Sequence, residues 1–361
     1  MKAYSKKDIL EIYNKPLMEL VFEAATVHRL HHDPTKIQVS TLISIKTGGC
    51  PEDCGYCPQA ARYHTGIEKN DLMPVNTVIN LAKKAKKNGS SRVCMGAAWR
   101  NVKEGDDFES VLEMVRGISH LNMEVCCTLG MITESQALRL ADAGLHYYNH
   151  NLDTSEDYYK EVISTRGYDD RLETLKNVNK GALKVCSGGI IGMGESVEDR
   201  IGMLMSLLSL ERIPDSVPIN ALVPVEGTPL ASENIIPVWD IIRMIATTRI
   251  VMPKTTVRLS AGRTEMSMEA QAICFMAGAS SIFAGEKLLT TPNPGEDKDA
   301  EMFSLLGLIP TEKKKETIDN FKIRKSLLKK DEAVKWTRPG HVIERNVEAT
   351  KQAKELRRKM K

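Results

Sequence analysis

The residues best able to do chemistry are three cysteines crowded into one short run, Gly48-Gly49-Cys50-Pro51-Glu52-Asp53-Cys54-Gly55-Tyr56-Cys57-Pro58. Cys50, Cys54 and Cys57 make a C-x3-C-x2-C pattern. Glycines and prolines around them force a tight, irregular loop that can gather three thiolates around one inorganic core. A zinc knuckle wants a fourth ligand close by. Ferredoxin-type runs carry four cysteines at other spacings. Three thiolates on a cubane of four irons leave one iron open, and an open iron suits chemistry better than plain electron storage.

Such a loop needs a scaffold. β-prone runs fall at 38–45, 91–98, 123–130, 145–152, 182–190, 216–223, 255–261 and 280–285. Amphipathic helical stretches at 76–87, 108–120, 134–143, 171–179 and 196–210 alternate with them. Alternation of this kind predicts parallel βα units, and eight runs fit a (β/α)8 TIM-type barrel. The rival architecture is a doubly wound open sheet, but no early G-x-G-x-x-G follows the first strand. The three-cysteine run then falls in the first βα loop, on the face where barrels place active sites. Residues 1–37 are expected as N-terminal helices packed on the barrel and 38–310 as the barrel itself. The stretch 290–299 is expected as a Pro/Gly/acid loop, and 311–361 as a basic extension, partly helical or disordered.

Composition is that of an ordinary globular chain: 361 residues, 42% hydrophobic and 27% charged, exclude a fibrous or disordered reading. No apolar run reaches the ~18 residues of a membrane span, and no secretory signal is expected. With eight cysteines in a chain of this size, thiols or metal ligands are expected rather than disulfides, and a cytoplasmic location with them. The formal charge of +3 is uneven. Residues 311–361 hold 17 Lys/Arg against 8 Asp/Glu, a net +9, which leaves the preceding 310 residues at −6. A mildly acidic body does not favour nucleic acid.

The cysteine loop resembles the signature of the radical S-adenosylmethionine enzymes. That resemblance implies a [4Fe–4S] cluster on Cys50, Cys54 and Cys57 whose open iron chelates S-adenosylmethionine, with Tyr56 near the adenine. Further segments are similar to the biotin synthase family: Arg92–Trp99, Tyr147–Thr154, Lys184–Ile190, Val257–Arg263 and Leu288–Asn293, with the resemblance running from about Lys15 to Leu308. The implied reaction is sulfur insertion between two unactivated carbons of dethiobiotin to give biotin, with a [2Fe–2S] cluster as sulfur donor. Breaking an aliphatic C–H bond is beyond acid–base side chains and calls for a radical cofactor. A flavodoxin or ferredoxin-type reductant and a homodimer are implied as well. A related hydrogenase-maturation enzyme is the alternative within the class.

The residues themselves point the same way. Cys94, Cys126 and Cys186 lie on three expected strands and Arg258 on a fourth. Three inward thiols and a guanidinium would make a poor apolar barrel layer, because an unpaired buried cation is costly. Around an anionic metal–sulfur cluster they make sense, and the resemblance assigns all four to the [2Fe–2S] group. Arg258 either binds iron through a nitrogen or only neutralises charge; both readings stand. Cys127 must face away from Cys126, and Cys274 reads as core. Asn151 and Asp153 share a strand face and are implied contacts for the nucleoside and its amino acid moiety. Gly189 and Ile190 lie in a glycine-rich run that lets a flat nucleoside approach the backbone. Asn220, Thr290 and Thr291 are polar positions at the expected mouth, suited to a ureido ring.

Overall fold

The structure is a computed structural model and describes residues 3–312. In chain order the elements begin with α1 (Lys6–Tyr13), α2 (Leu17–His31), β1 (Lys36–Lys46), α3 (Val75–Lys87), β2 (Arg92–Ala97), α4 (Asp106–His120), β3 (Glu124–Thr128) and α5 (Glu134–Asp142). They continue with β4 (Tyr147–Asn149), α6 (Tyr159–Val162), α7 (Tyr168–Lys180), β5 (Lys184–Cys186), β6 (Gly189–Ile191), α8 (Val197–Ser209), β7 (Ser216–Ala221), α9 (Val238–Val251) and β8 (Thr256–Leu259). The remainder is α10 (Met268–Met276), β9 (Ser281–Ala284), β10 (Lys287–Leu288), β11 (Thr291–Pro292), α11 (Glu296–Leu306) and β12 (Ile309–Pro310).

Strands β1, β2, β3, β4, β5, β7, β8 and β9 pair in that order, all parallel, and β9 pairs back to β1. An eight-stranded closed barrel results, with no free edge in the ring. The expected run 182–190 is two pieces: β5 pairs β4 and β7, and after Ser187 and Gly188 the chain resumes as β6 on β7. Helices start where short polar side chains can cap them. Thr133 with Gln136 and Ser196 with Asp199 form reciprocal capping boxes at α5 and α8.

The helices cover the barrel with apolar faces. Phe108, Val111, Leu112, Val115 and Ile118 of α4 are fully or almost fully buried, and α9 buries ten residues because α2 packs on its outer side. The stretch 290–299 is not one loop. Thr291–Pro292 pair antiparallel with β10, and Glu296, Asp297 and Asp299 open α11, where the positive end of a helix dipole favours acids. The expected extension at 311–361 lies, but for its first two residues, outside the described residues. No helix among the described residues is long and apolar enough to cross a membrane.

Candidate active site: two thiol sets on one cavity

A cavity of about 330 Å³ opens at the C-terminal ends of the barrel strands. The cysteine loop forms one rim. Gly48 and Gly49 adopt φ of 69° and 71°, and a Cβ at Gly48 would stand 2.8 Å from the Glu68 carbonyl oxygen. The two glycines therefore turn the chain sharply off β1 into the loop. Backbone bonds then close it: Cys50 N–H donates to Gln59 O at 2.9 Å, Ala61 N–H to Cys50 O at 2.7 Å and Cys57 N–H to Cys54 O at 2.9 Å.

The two acids inside the motif anchor it from behind. Asp53 accepts from the Ser164 and Thr165 backbone N–H groups, each at 3.0 Å, and from both hydroxyls. Burial works against its charge, yet these donors hold Asp53 well below the usual carboxylate range. Glu52 accepts from the Thr165 hydroxyl and faces Arg100 and Arg166 at 3.6 and 3.9 Å.

Cys50, Cys54 and Cys57 all line the cavity. Burial pushes all three thiols up, Cys54 to about 11 and Cys57 to about 12, and the neighbouring thiols Cys54 and Cys50 add to the effect at Cys57. Thiols held up in this way would ionise only against a strong local positive charge such as a bound metal group, whose coordination would favour the thiolate and release the protons to solvent.

Deeper in the barrel, register places Cys94 of β2 beside Cys126 of β3, and Asn149 of β4 beside Cys186 of β5. Cys94, Cys126 and Cys186 line the same cavity. Cys126 lies within hydrogen-bonding reach of both other thiols; this lowers Cys94 and Cys186 and raises Cys126. Arg258 and Arg92 lower Cys94 and Cys186 further.

Arg258 lines the cavity too, 1% exposed. Its Nε donates to Ser281 Oγ at 2.9 Å and its Nη2 to Ser40 Oγ at 3.1 Å and Gln38 Oε1 at 3.2 Å. Among the described residues no three His, Cys, Asp or Glu side chains converge tightly enough to hold a single metal ion. The thiols are spread around a shared space instead, which suits groups of several metal atoms. Cys127 and Cys274 are fully buried and do not line the cavity.

Tyr56, Asn151, Asp153, Ile190, Asn220, Thr290 and Thr291 also line it, whereas Gly189 does not. Gly189 sits behind the wall, where its carbonyl accepts from Asn220 Nδ2 at 2.9 Å. Asn220 thus braces β6, and its Oδ1 takes the Ala261 N–H at 3.3 Å. Asp153 accepts from the Tyr56 hydroxyl at 2.8 Å and forms a buried ion pair with Arg171.

Arg171 escaped sequence reasoning because it lies in an amphipathic helical stretch, where a charged residue reads as solvated. It is 4% exposed, and its other nitrogens donate to Tyr159 Oη at 2.9 Å and the Asn151 carbonyl at 2.7 Å. Glu52, His150 and Arg166 line the cavity as well; the first two lie inside quoted segments without a role read for them, and Arg166 lies in none.

A closed parallel barrel with a three-thiol loop at its mouth defines the class, a radical S-adenosylmethionine barrel enzyme. In agreement, residues 44–208 match the Radical SAM superfamily, and residues 218–309 match the Biotin and Thiamin Synthesis associated domain. The fold is that of methylornithine synthase (TM-score 0.72, 16% identity, 90% of this chain and 97% of that one). It is also that of the FeFe-hydrogenase maturase of Carboxydothermus hydrogenoformans (TM-score 0.72, 15% identity, 86% and 76%). At such identities the likeness concerns fold alone.

Sequence relatives are far nearer. The biotin synthase of Christiangramia forsetii is 66% identical over 354 residues, 97% of this chain and 98% of the relative. That of Flavobacterium johnsoniae is 64% identical over 356 residues, 97% and 98%, and that of Salmonella arizonae 56% over 307 residues, 85% and 88%. The chain belongs to the biotin synthase family, radical S-adenosylmethionine sulfurtransferases that convert dethiobiotin to biotin and use [4Fe–4S], [2Fe–2S] and S-adenosylmethionine.

Proposed function

We propose that the family's reaction is divided between the two thiol sets of this cavity. Cys50, Cys54 and Cys57 would hold the [4Fe–4S] cluster with S-adenosylmethionine, and Cys94, Cys126, Cys186 and Arg258 the [2Fe–2S] sulfur donor. When bound, these groups supply the hydrogen abstraction and the sulfur atom that no side chain here can provide. What supports the division is that both thiol sets line one cavity, the loop set at its rim and the strand set in its floor.

The protein's own part is positioning and exclusion. Asp53 and Glu52 hold the cysteine loop against residues 164–166. Asp153, aimed by Tyr56 and Arg171, is the acceptor for ribose hydroxyls, with Asn151 beside it. Ile190 offers an apolar face to the nucleoside, and Gly189 keeps the backbone behind it close. Asn220, Thr290 and Thr291 face dethiobiotin at the mouth.

The electron-donating partner is a flavodoxin or ferredoxin-type reductant, the assembly a homodimer, and the compartment the cytoplasm. Residues 1–37 form a helical brace, 38–310 the catalytic barrel and 311–361 a basic extension. Two variants test the division. Cys54→Ala is expected to abolish release of 5′-deoxyadenosine. Cys186→Ala is expected to keep much of that release while biotin formation fails. Equal loss of both products in the two variants removes the division of labour.

A further inference from the structure

The β10–β11 hairpin reaches into the cavity with two leucines that the reaction has not used. Leu288 pairs with Thr291, so Leu289 and Thr290 form a two-residue turn. Leu289 takes a left-handed backbone conformation, φ 57°. Tight hairpins fill such positions with Gly, Asn or Asp, because a larger side chain there crowds its own backbone. Leucine is a poor choice for the turn itself, and strain kept at such a tip points to a use for the side chain.

A glycine sets where that side chain goes. Gly96 follows Cys94 by two residues on β2, so it shares the strand face of that thiol and lies about 7 Å nearer the mouth. A Cβ at Gly96 would stand 2.8 Å from Leu289 Cδ2, and the next nearest atoms, at 4.0 Å, belong to the same leucine. The missing side chain thus leaves a notch that Leu289 fills. Leu288 packs beside it on the buried cluster of Cys94, Cys126, Tyr147 and Phe283. Asn293 fixes the root of the hairpin, its Nδ2 donating to the Phe283 and Gly285 carbonyls at 3.1 and 2.7 Å. Both leucines line the cavity and are only half-buried, so apolar surface is left facing the space above the thiol floor. Thr290 and Thr291 put polar groups next to it. Aliphatic carbons held over the floor are what such a wall would take.

We propose that Leu289 is a substrate-positioning residue, its isobutyl group packing on the aliphatic carbons of dethiobiotin and the Gly96 notch fixing its place. The proposal rests on the placement of dethiobiotin at the mouth under Proposed function. A contact of this kind restrains the substrate and keeps water from its reacting carbons.

The test is dethiobiotin binding to reconstituted holoenzyme by equilibrium dialysis, with S-adenosylmethionine present and no reductant, so that no turnover intervenes. The variants are Leu289→Asn, Leu289→Met, Gly96→Ala and Thr290→Val. Asparagine has nearly the shape of leucine and tolerates the left-handed turn, so Leu289→Asn keeps the hairpin and removes its apolar surface. It should raise the dissociation constant for dethiobiotin about tenfold, whereas Leu289→Met should keep most of the affinity. Gly96→Ala should weaken binding in the same direction, because its Cβ displaces Leu289. Affinity for S-adenosylmethionine, measured alone, should stay at the parent's value. With reductant added, Leu289→Asn should release more 5′-deoxyadenosine per biotin than the parent. Parent-like dethiobiotin affinity in Leu289→Asn, with Thr290→Val weakened, overturns the proposal and leaves the substrate placement intact. Parent-like affinity in both variants overturns the placement and the proposal with it. Equal weakening of both ligands in Leu289→Asn would mark a structural role and also overturn the proposal. Should Leu289→Asn not fold, Gly96→Ala carries the decision: selectively weaker dethiobiotin binding supports the proposal, and unchanged binding overturns it.

Discussion

Asp153 takes a left-handed backbone conformation, φ 68°, which aspartate tolerates better than most residues. The turn puts its carboxylate between Tyr56 and Arg171 and its carbonyl against the Ile190 N–H at 2.8 Å. Arg171 is the residue that makes the arrangement rigid, because one planar fork reaches Asp153, the Asn151 carbonyl and Tyr159 together. A lysine would keep the charge and lose the fork. Arg171→Lys is therefore expected to raise KM for S-adenosylmethionine roughly tenfold, about 1.4 kcal/mol, with a smaller change in kcat. Steady-state kinetics at saturating dethiobiotin measure it, and an unchanged KM would remove Arg171 from the binding apparatus.

At the break between β5 and β6 the wall of the barrel is built on two glycines, Gly188 in the connection and Gly189 at the start of β6. A Cβ at Gly188 would stand 2.1 Å from the Pro218 carbonyl oxygen, and one at Gly189 would meet the Asp153 carbonyl at 2.4 Å. The Gly188 carbonyl also accepts both the Leu152 and Asp153 N–H groups, at 3.0 and 3.2 Å. Strain introduced here passes directly into the segment that carries Asn151 and Asp153. Gly188→Ala should cost about 1–3 kcal/mol by overpacking. A urea titration should show a lower midpoint with an unchanged m-value. A midpoint equal to the parent's would mean that β5 and β6 can separate from β7 more freely than their packing implies.

At the scale of the whole barrel, closure depends on the elements C-terminal to β8. Arg263, 2% exposed, is ion-paired with Asp299 at the start of α11 and donates to the Phe283 carbonyl of β9 at 2.9 Å. Gln271 of α10 takes its Nε–H at 3.0 Å. One buried guanidinium thus ties α10, β9 and α11 together beside the β9–β1 seam. Removing only its partner's charge leaves an uncompensated buried cation, which typically costs about 3–5 kcal/mol. Asp299→Asn is expected to lower the thermal midpoint accordingly, as calorimetry at neutral pH would record. A variant as stable as the parent would show that the seam does not lean on this pair.

Much of this architecture could be read from residue order alone. Strand runs, the alternation with helices, the C-x3-C-x2-C loop after the first strand and the odd thiols on later strands are all local in sequence. Periodicity and spacing report local geometry faithfully, because side-chain direction in a strand follows from the backbone. The break between β5 and β6, the helical start at Glu296 and the burial of Arg171, Arg92 and Arg263 could not be read that way. Each buried charge and the break itself depend on a partner distant along the chain: Pro218 against Gly188, Asp153 against Arg171, Glu124 against Arg92, Asp299 against Arg263. A charged residue on an amphipathic stretch looks solvated until its counter-ion arrives from another element. Burial and pairing of charge are properties of the closed barrel, and they exist only once its strands are in register.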